Sequence, residues 1–265
     1  EAAEALGLTT ACRVGAGLID AHAGALGVLG AYAADRSAID RHLALIAGTS
    51  SCVMALSAEP RPTQGVWGPY HGALLPDCWL NEGGQSATGA LLDHVIRWHG
   101  AGGVPDAGMH SAIAQRVMEL RESEGLDLAG RLHVLPDFHG NRSPLADPHA
   151  VGVISGLTLD SSFDSLCRLY WRSAVGIALG VRHILEALND RGYGIDTLHV
   201  AGGHLLRQAP SGPHDFVPGA VIERNHELEP RIGAGQLLRV LEKLQDPGIQ
   251  IAPAADDANA HVGVM

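Results

Sequence analysis

The chain has few basic residues and no long apolar run, and both deficits exclude classes of partner. Asp and Glu outnumber Lys and Arg by 29 to 18, which gives a formal net charge of −11. Nucleic acids and anionic membranes need a basic face, so we expect neither as a partner. No apolar stretch approaches the roughly 20 residues that cross a bilayer, and no secretory signal opens the chain.

Cysteine is also scarce, because only four occur and no two of them form a C-x-x-C pair. In a chain of 265 residues this argues against a disulfide framework and a structural zinc site, and we expect reduced thiols in a cytoplasmic protein. Three Asp-x-His pairs, which begin at Asp20, Asp137 and Asp147, would suit a metal hydrolase but lack the spacing of known metal motifs. We predict no metal ligand in this chain.

The common nucleotide-binding signatures are absent, since neither G-x-G-x-x-G nor a P-loop occurs. Apolar strands instead alternate with helices, a pattern that predicts an α/β fold. We expect a mixed sheet of at least four strands, flanked by helices on both faces. Four segments should share that sheet: GLID, LALIAG, VGVISGL and TLHVAGG. A long helix should span residues 162–189, with Asp160 or Ser161 as its cap.

Asp20 stands at the end of a predicted strand, in GLIDAHAG, among residues too small to obstruct a ligand. A carboxylate in this position can accept the proton of a substrate hydroxyl during phosphoryl transfer. The same position is favoured for an aspartate that caps a helix. The local pattern alone leaves both roles open.

Glycines and hydroxyls mark two turns that could face an anion. Gly48, Thr49 and Ser50 form the turn of a predicted hairpin, where amides and hydroxyls supply donors without charge, although a plain hairpin has the same composition. Gly202 and Gly203 end a buried strand at a point that suits the edge of a nucleotide. Two glycines are a weak signal by themselves.

The segment EGGQ, residues 82–85, precedes an amphipathic helix and could line a pocket at the helix N-terminus. Gly89 lies one turn further on, where alanine would favour the helix by roughly 1 kcal/mol. A glycine here allows either a flat ligand or a closely packed helix, and the sequence supports both interpretations.

Taken in order, seven segments resemble successive motifs of the FGGY carbohydrate kinases, most closely the D-ribulokinase-like branch. They are GLIDAHAGALG, IAGTSSCVMALS, GVWGPY, WLNEGGQSATGALLDH, PDFHGNRSPLADP, GVISGLTL and LHVAGG. The resemblance covers roughly residues 8–204, and seven ordered motifs are more specific than any one of them. It implies an actin-like ATPase fold, of the ribonuclease-H-like type.

The resemblance also implies a role for each candidate residue. Asp20 matches the catalytic base that deprotonates the sugar hydroxyl, and Glu82 matches an acidic residue that contacts the ketose in ribulokinases. The nucleotide side is matched by Gly48, Thr49, Ser50, Gly89, Asp93, Gly202 and Gly203. ATP and Mg²⁺ are the implied cofactors, a small-molecule sugar is the implied partner, and a homodimer is left open.

Residues 1–204 are predicted to form the C-terminal domain of such a kinase, without the N-terminal domain that carries a phosphate loop and a magnesium-site aspartate. The start, EAAEALGL, has the pattern of a helix interior and predicts a piece of a longer protein. After His204 the family pattern is lost, and residues 205–265 are predicted to be a divergent, partly disordered segment of the same domain. A shifted reading frame over part of this tail would explain its composition, and resequencing would test that hypothesis.

The predicted function is ATP-dependent phosphorylation of a ribulose-like ketopentose, with Asp20 as general base. Because one wall of the cleft belongs to the missing domain, the isolated chain should be inactive, and Trp67 and Trp79 should be unusually exposed. Two alternatives stay open. One is an inactive fragment with at most weak nucleotide binding, and the other is an actin- or chaperone-like ATPase module that uses the fold for switching.

Overall fold

A computed structural model describes residues 2–9, 11, 17–125, 127–202 and 220–223. Helices in these ranges are α1 (Ala2–Ala5), α2 (Asp20–Leu29), α3 (Gly89–Trp98), α4 (Ala107–Glu124) and α5 (Phe163–Asn189). Strands are β1 (His42–Ala47), β2 (Ser51–Ser57), β3 (Trp67–His71), β4 (Trp79–Gln85), β5 (His133–Leu135), β6 (Val153–Ser155), β7 (Thr197–Ala201) and β8 (Ala220–Glu223).

Six of the strands form one mixed sheet in the order β3-β4-β2-β1-β7-β8. Strands β1 and β7 run parallel, with Ile46 opposite Ala201, while the other neighbouring strands are antiparallel. Because β1 and β7 end at the same edge, the turn after β1 and the turn after β7 lie side by side. Loops at such an edge are common ligand sites in α/β proteins.

Both faces of this sheet are covered, because successive strand residues point to opposite faces and nearly all are apolar. Leu43, Leu45 and Val53 join a core that includes α3, α4 and α5. Ala44 and Met54 join a second core that includes α2. The sheet therefore separates two layers, and residues on α2 share a face with every second residue of β1 and β2.

The ends of two helices follow from local hydrogen bonds. Helix α4 begins after Asp106, whose carboxylate accepts from the Met109 amide at 2.8 Å. Helix α5 begins after Ser162, whose hydroxyl accepts from the Ser165 amide at 3.2 Å. The expected span of α5 is thus confirmed, but the expected cap at Asp160 or Ser161 is wrong. Asp160, two residues before the cap, instead accepts from the Ser162 amide at 2.9 Å.

The predicted mixed sheet with helices on both faces is confirmed, and LALIAG and TLHVAGG do share it. The placement of VGVISGL in that sheet is wrong, because β6 pairs only with β5 in a separate two-stranded sheet. The GLID segment is not a strand at residues 17–19, and helix α2 begins at Asp20. Among the described helices, none combines the length and apolarity required to cross a membrane.

Candidate functional site

The β1–β2 turn is joined to the start of α3 by four hydrogen bonds. The Thr49 carbonyl accepts from the amides of Thr88 and Ala90, both at 3.1 Å. The Gly48 carbonyl accepts from the Gly89 amide at 3.1 Å and from the Thr88 hydroxyl at 3.0 Å. The structure therefore brings the predicted hairpin and the predicted helix glycine into contact. The Thr49 side chain remains exposed at the tip of the turn.

Gly202 follows β7 immediately beside this turn. Its φ is +113°, a conformation that side chains disfavour, and a Cβ atom placed there would lie 2.3 Å from the Ala47 carbonyl oxygen. Only glycine lets β7 end this close to β1. Gly48, Gly89 and Gly202 thus gather at one edge of the sheet, whereas Gly203 lies outside the described residues.

Asp20 is the first residue of α2 and is exposed. The N-cap position belongs to Ile19, and no side chain caps this helix. The Asp20 carboxylate accepts a hydrogen bond from the adjoining Ala21 amide at 2.8 Å. The cap interpretation of Asp20 is therefore not supported by the geometry, and the carboxylate is accessible to a ligand.

Glu82 lies in β4 rather than in a loop before α3, so the interpretation of EGGQ as a helix-N-terminal pocket is corrected. Strand β4 is paired on both sides, with Met54 of β2 and Trp67 of β3 opposite Glu82. The residue is only 9% exposed. Its carboxylate contacts two basic side chains, since Arg142 Nη2 lies 3.3 Å from Oε1 and His22 Nε2 lies 3.6 Å from Oε2.

Cys52 of β2 shows that Asp20 and Glu82 belong to one electrostatic neighbourhood. Burial raises the pKa of the Cys52 thiol, the charges of Glu82 and Asp20 raise it further, and Arg142 opposes them. Side chains from α2, β4 and the loop before β6 therefore all influence this one thiol of β2. Asp20 and Glu82 are separated by 62 positions in the sequence, and the fold brings them together on the α2 face.

Asp93 is engaged elsewhere in the structure. Its Oδ1 lies 2.9 Å from His110 Nε2, and its Oδ2 lies 3.6 Å from Arg97 one turn along α3. The other ring nitrogen of His110 lies 2.7 Å from the Tyr170 hydroxyl. This chain of contacts ties α3 to α4 and α5. The partners of Asp93 are thus helix residues, not the hairpin turn.

Arg142 and His22 are site residues that the sequence interpretation missed. Arg142 lies in the polar loop PDFHGNRSPLADP, which was recognised only as a motif, and its guanidinium stacks 4.5 Å from the Trp67 ring centroid. Trp67 is 48% exposed, as expected. Trp79 is half-buried, and its ring packs against the ring of His71. An arginine within a loop of turn-forming residues was the available signal for Arg142.

The other two Asp-x-His pairs, which begin at Asp137 and Asp147, form hydrogen bonds within their own loop. Asp137 accepts from the Asn141 side-chain amide at 3.1 Å, and Asp147 accepts from the His149 backbone amide at 2.8 Å. Within the described ranges, no group of three or more His, Cys, Asp or Glu side chains could hold a metal ion. Such local bonds are the usual use of short polar side chains in a turn-rich loop.

Comparison with known proteins gives a consistent family. Residues 43–209 match the family model described as "FGGY family of carbohydrate kinases, C-terminal domain". An FGGY carbohydrate kinase domain-containing protein of Xenopus laevis is 42% identical over 95% of this chain and 48% of its own length. A D-ribulokinase of Saccharomyces cerevisiae is 36% identical over 77% of this chain and 32% of its own length. The chain thus spans less than half the length of these relatives.

Solved structures agree on the fold. The xylulose kinase of Rhodospirillum rubrum superposes with a TM-score of 0.56 at 22% identity, over 76% of this chain and 42% of that one. At this identity the likeness concerns the fold alone. The expected actin-like ATPase fold is confirmed.

Proposed function

The chain belongs to the FGGY family of carbohydrate kinases, and from that premise we propose that the protein containing it transfers a phosphoryl group from ATP to a ribulose-like ketopentose. The observation that carries the proposal is the placement of an exposed carboxylate, Asp20, and a buried one, Glu82, around the same Cys52 thiol, with His22 of α2 lying 3.6 Å from Glu82. A base that is open to a ligand and a second carboxylate beside it suit the recognition and activation of a polyol.

In this mechanism Asp20 accepts the proton of the sugar hydroxyl that attacks the γ-phosphorus. Its position at the first turn of α2 leaves the carboxylate exposed to a ligand. Glu82 accepts hydrogen bonds from neighbouring sugar hydroxyls and orients the attacking one. The relatives named as ribulokinases support a ketopentose as the substrate class.

ATP fits the edge of the sheet where β1 and β7 end. The glycines at positions 48, 89 and 202 leave the backbone approachable there, and the exposed Thr49 hydroxyl can donate to a phosphate. The described part of the chain offers no cluster of metal ligands, so in our proposal Mg²⁺ is held by the phosphates of the nucleotide and by the N-terminal domain. The ion would neutralise the charge that develops on the transferred group.

We also propose that residues 1–204 are the C-terminal domain of the intact enzyme, that 205–265 continue it, and that the isolated chain is inactive. The uncovered Trp67 and the exposed Asp20 support this part of the proposal, because a kinase cleft normally excludes water from both.

The experiment is a coupled ADP-release assay with the full-length gene product and a panel of ketoses. Wild type should release ADP only when a ketopentose is present. Asp20→Asn should lower kcat by a factor of about 10²–10⁴, while ATP binding stays within a few fold, because the base acts only in the chemical step. Sugar-independent ATP hydrolysis would instead favour a switching ATPase. The isolated chain, assayed alongside, should show no turnover.

A further inference from the structure

The buried Glu82 carboxylate is contacted by two basic side chains, and both contacts are long. Arg142 approaches one oxygen at 3.3 Å and His22 approaches the other at 3.6 Å. Charge-assisted hydrogen bonds are usually about 2.7–2.9 Å long, so neither contact is fully formed. A carboxylate oxygen has two lone pairs, and each oxygen of Glu82 therefore keeps capacity to accept from a ligand.

Arg142 itself is fixed by three neighbouring segments. Its planar guanidinium lies over the Trp67 ring, a stacking that lysine cannot reproduce. The next residue, Ser143, is buried, and its hydroxyl lies 3.3 Å from where a Cβ on Gly83 would stand. The Pro144 carbonyl oxygen lies 1.7 Å from the Cβ position of Gly65, so only glycine admits the loop there.

Two nitrogens of this cluster have no hydrogen-bond partner among the described residues. They are His22 Nδ1 and Arg142 Nε, and both atoms are buried. Buried polar groups are normally paired, so an incompletely paired cluster is a poor device for stability and suits an arrangement that a ligand completes.

Resting on the function proposed above, we infer that Arg142 is a positioning residue for sugar recognition. Stacked on Trp67, it holds the Glu82 carboxylate in the orientation that meets two sugar hydroxyls at once, and His22 supports the second oxygen. A fixed carboxylate distinguishes epimers, because only one configuration presents both hydroxyls to both oxygens. A carboxylate that rotates freely accepts either configuration with lower affinity.

The test uses the full-length gene product with ribulose and its epimer xylulose as substrates. Arg142→Gln should raise KM for the preferred ketose at least about tenfold, because a contact between charged groups is lost. The ratio of kcat/KM for the two epimers should move closer to one, and KM for ATP should stay within about twofold of the wild-type value. Arg142→Lys should show the same loss in smaller degree, since it keeps the charge but loses the planar stack.

Arg168→Gln is the matched control, since it breaks another Arg–Glu pair, between α5 and Glu124, away from this cluster. It should leave both KM values unchanged. Together with Arg142→Gln, the variants Glu82→Gln and Arg142→Gln/Glu82→Gln form a double-mutant cycle. If Arg142 acts through Glu82, the double variant should be no worse than Glu82→Gln alone.

The outcomes separate the two claims. If wild type phosphorylates a ketose but Arg142→Gln and Arg142→Lys keep the wild-type sugar KM and epimer preference, the positioning role is wrong and the proposed function stands. A parallel rise in the ATP and sugar KM values would assign Arg142 to general folding, and additive effects in the cycle would show that Arg142 acts independently of Glu82. Either result would overturn the inference. A wild type without sugar-dependent turnover removes the proposed function and the inference together.

Discussion

The substitution Gly202→Ala, compared with a control glycine, distinguishes the free-energy cost of backbone strain from the cost of close packing at the proposed nucleotide edge. An alanine there would adopt a φ of +113°, which costs about 1–2 kcal/mol for a residue with a Cβ. Its Cβ would also lie 2.3 Å from the oxygen and 2.8 Å from the nitrogen of Ala47, so β1 and β7 would have to move apart. Overpacking of this kind costs about 1–3 kcal/mol more. Gly202→Ala should therefore lower the free energy of unfolding by about 2–5 kcal/mol.

Gly192 provides the matched control, because its φ is +92° and no atom lies within 4 Å of its Cβ position. Gly192→Ala carries only the backbone cost, about 1–2 kcal/mol. Urea unfolding of both variants measures the difference. In the full-length gene product, Gly202→Ala should raise KM for ATP and leave KM for the sugar unchanged, while Gly192→Ala should alter neither.

Two results would refute this reasoning in different places. Equal losses of stability in the two variants would mean that the contact with Ala47 relaxes without cost. A larger loss in Gly202→Ala with an unchanged KM for ATP would keep the packing argument and remove Gly202 from the nucleotide site.

Two further predictions address the loop of Arg142 and the His199 side chain. Gly65→Ala should displace the Pro144 carbonyl and raise the sugar KM as Arg142→Gln does, whereas Gly72→Ala, with a similar φ of +66° and open space around its Cβ position, should not. Burial, with a smaller contribution from neighbouring His42, lowers the pKa of His199 from 6.5 to about 4. The unfolded chain takes up the proton first, so this contribution to stability is complete above pH 6.5 and about 3 kcal/mol of it is lost between pH 6.5 and pH 4. Urea unfolding over that range should show a flatter pH dependence for His199→Phe than for wild type, and equal slopes would contradict the assignment.

Features set by adjacent residues could be predicted from the sequence. The β1–β2 turn, the long helix α5 and the strand before Gly202 all follow local patterns of apolar residues, glycines and caps. The predicted cap of α5 is one or two positions early because Asp160, Ser161 and Ser162 can all cap, and only the geometry selects Ser162. Helix boundaries are the least certain part of any such pattern.

Features set by distant neighbours could not be predicted in this way. The two glycines of EGGQ disfavour a strand, yet β4 forms because β2 pairs along its length and β3 along part of it, so tertiary pairing outweighs local propensity. Strand β6 has the same apolar composition as a strand of the main sheet, and nothing local shows that its partner is β5. The contact of Arg142 with Glu82 spans 60 positions and is invisible to any local pattern.

The variants that should distinguish nucleotide recognition from sugar recognition all lie outside the β1–β2 hairpin, because the hairpin borders both proposed sites. Its tip, Thr49, contacts the start of α3. Cys52 follows three residues later, and the charges of Asp20 and Glu82 act on its thiol. Three residues of chain span at most about 10 Å, so the proposed nucleotide and sugar sides are joined by one short segment. A substitution in the hairpin should change both KM values together and assign neither side. Gly202 and Arg142 each touch one side only, and for that reason they can separate recognition of the nucleotide from recognition of the sugar.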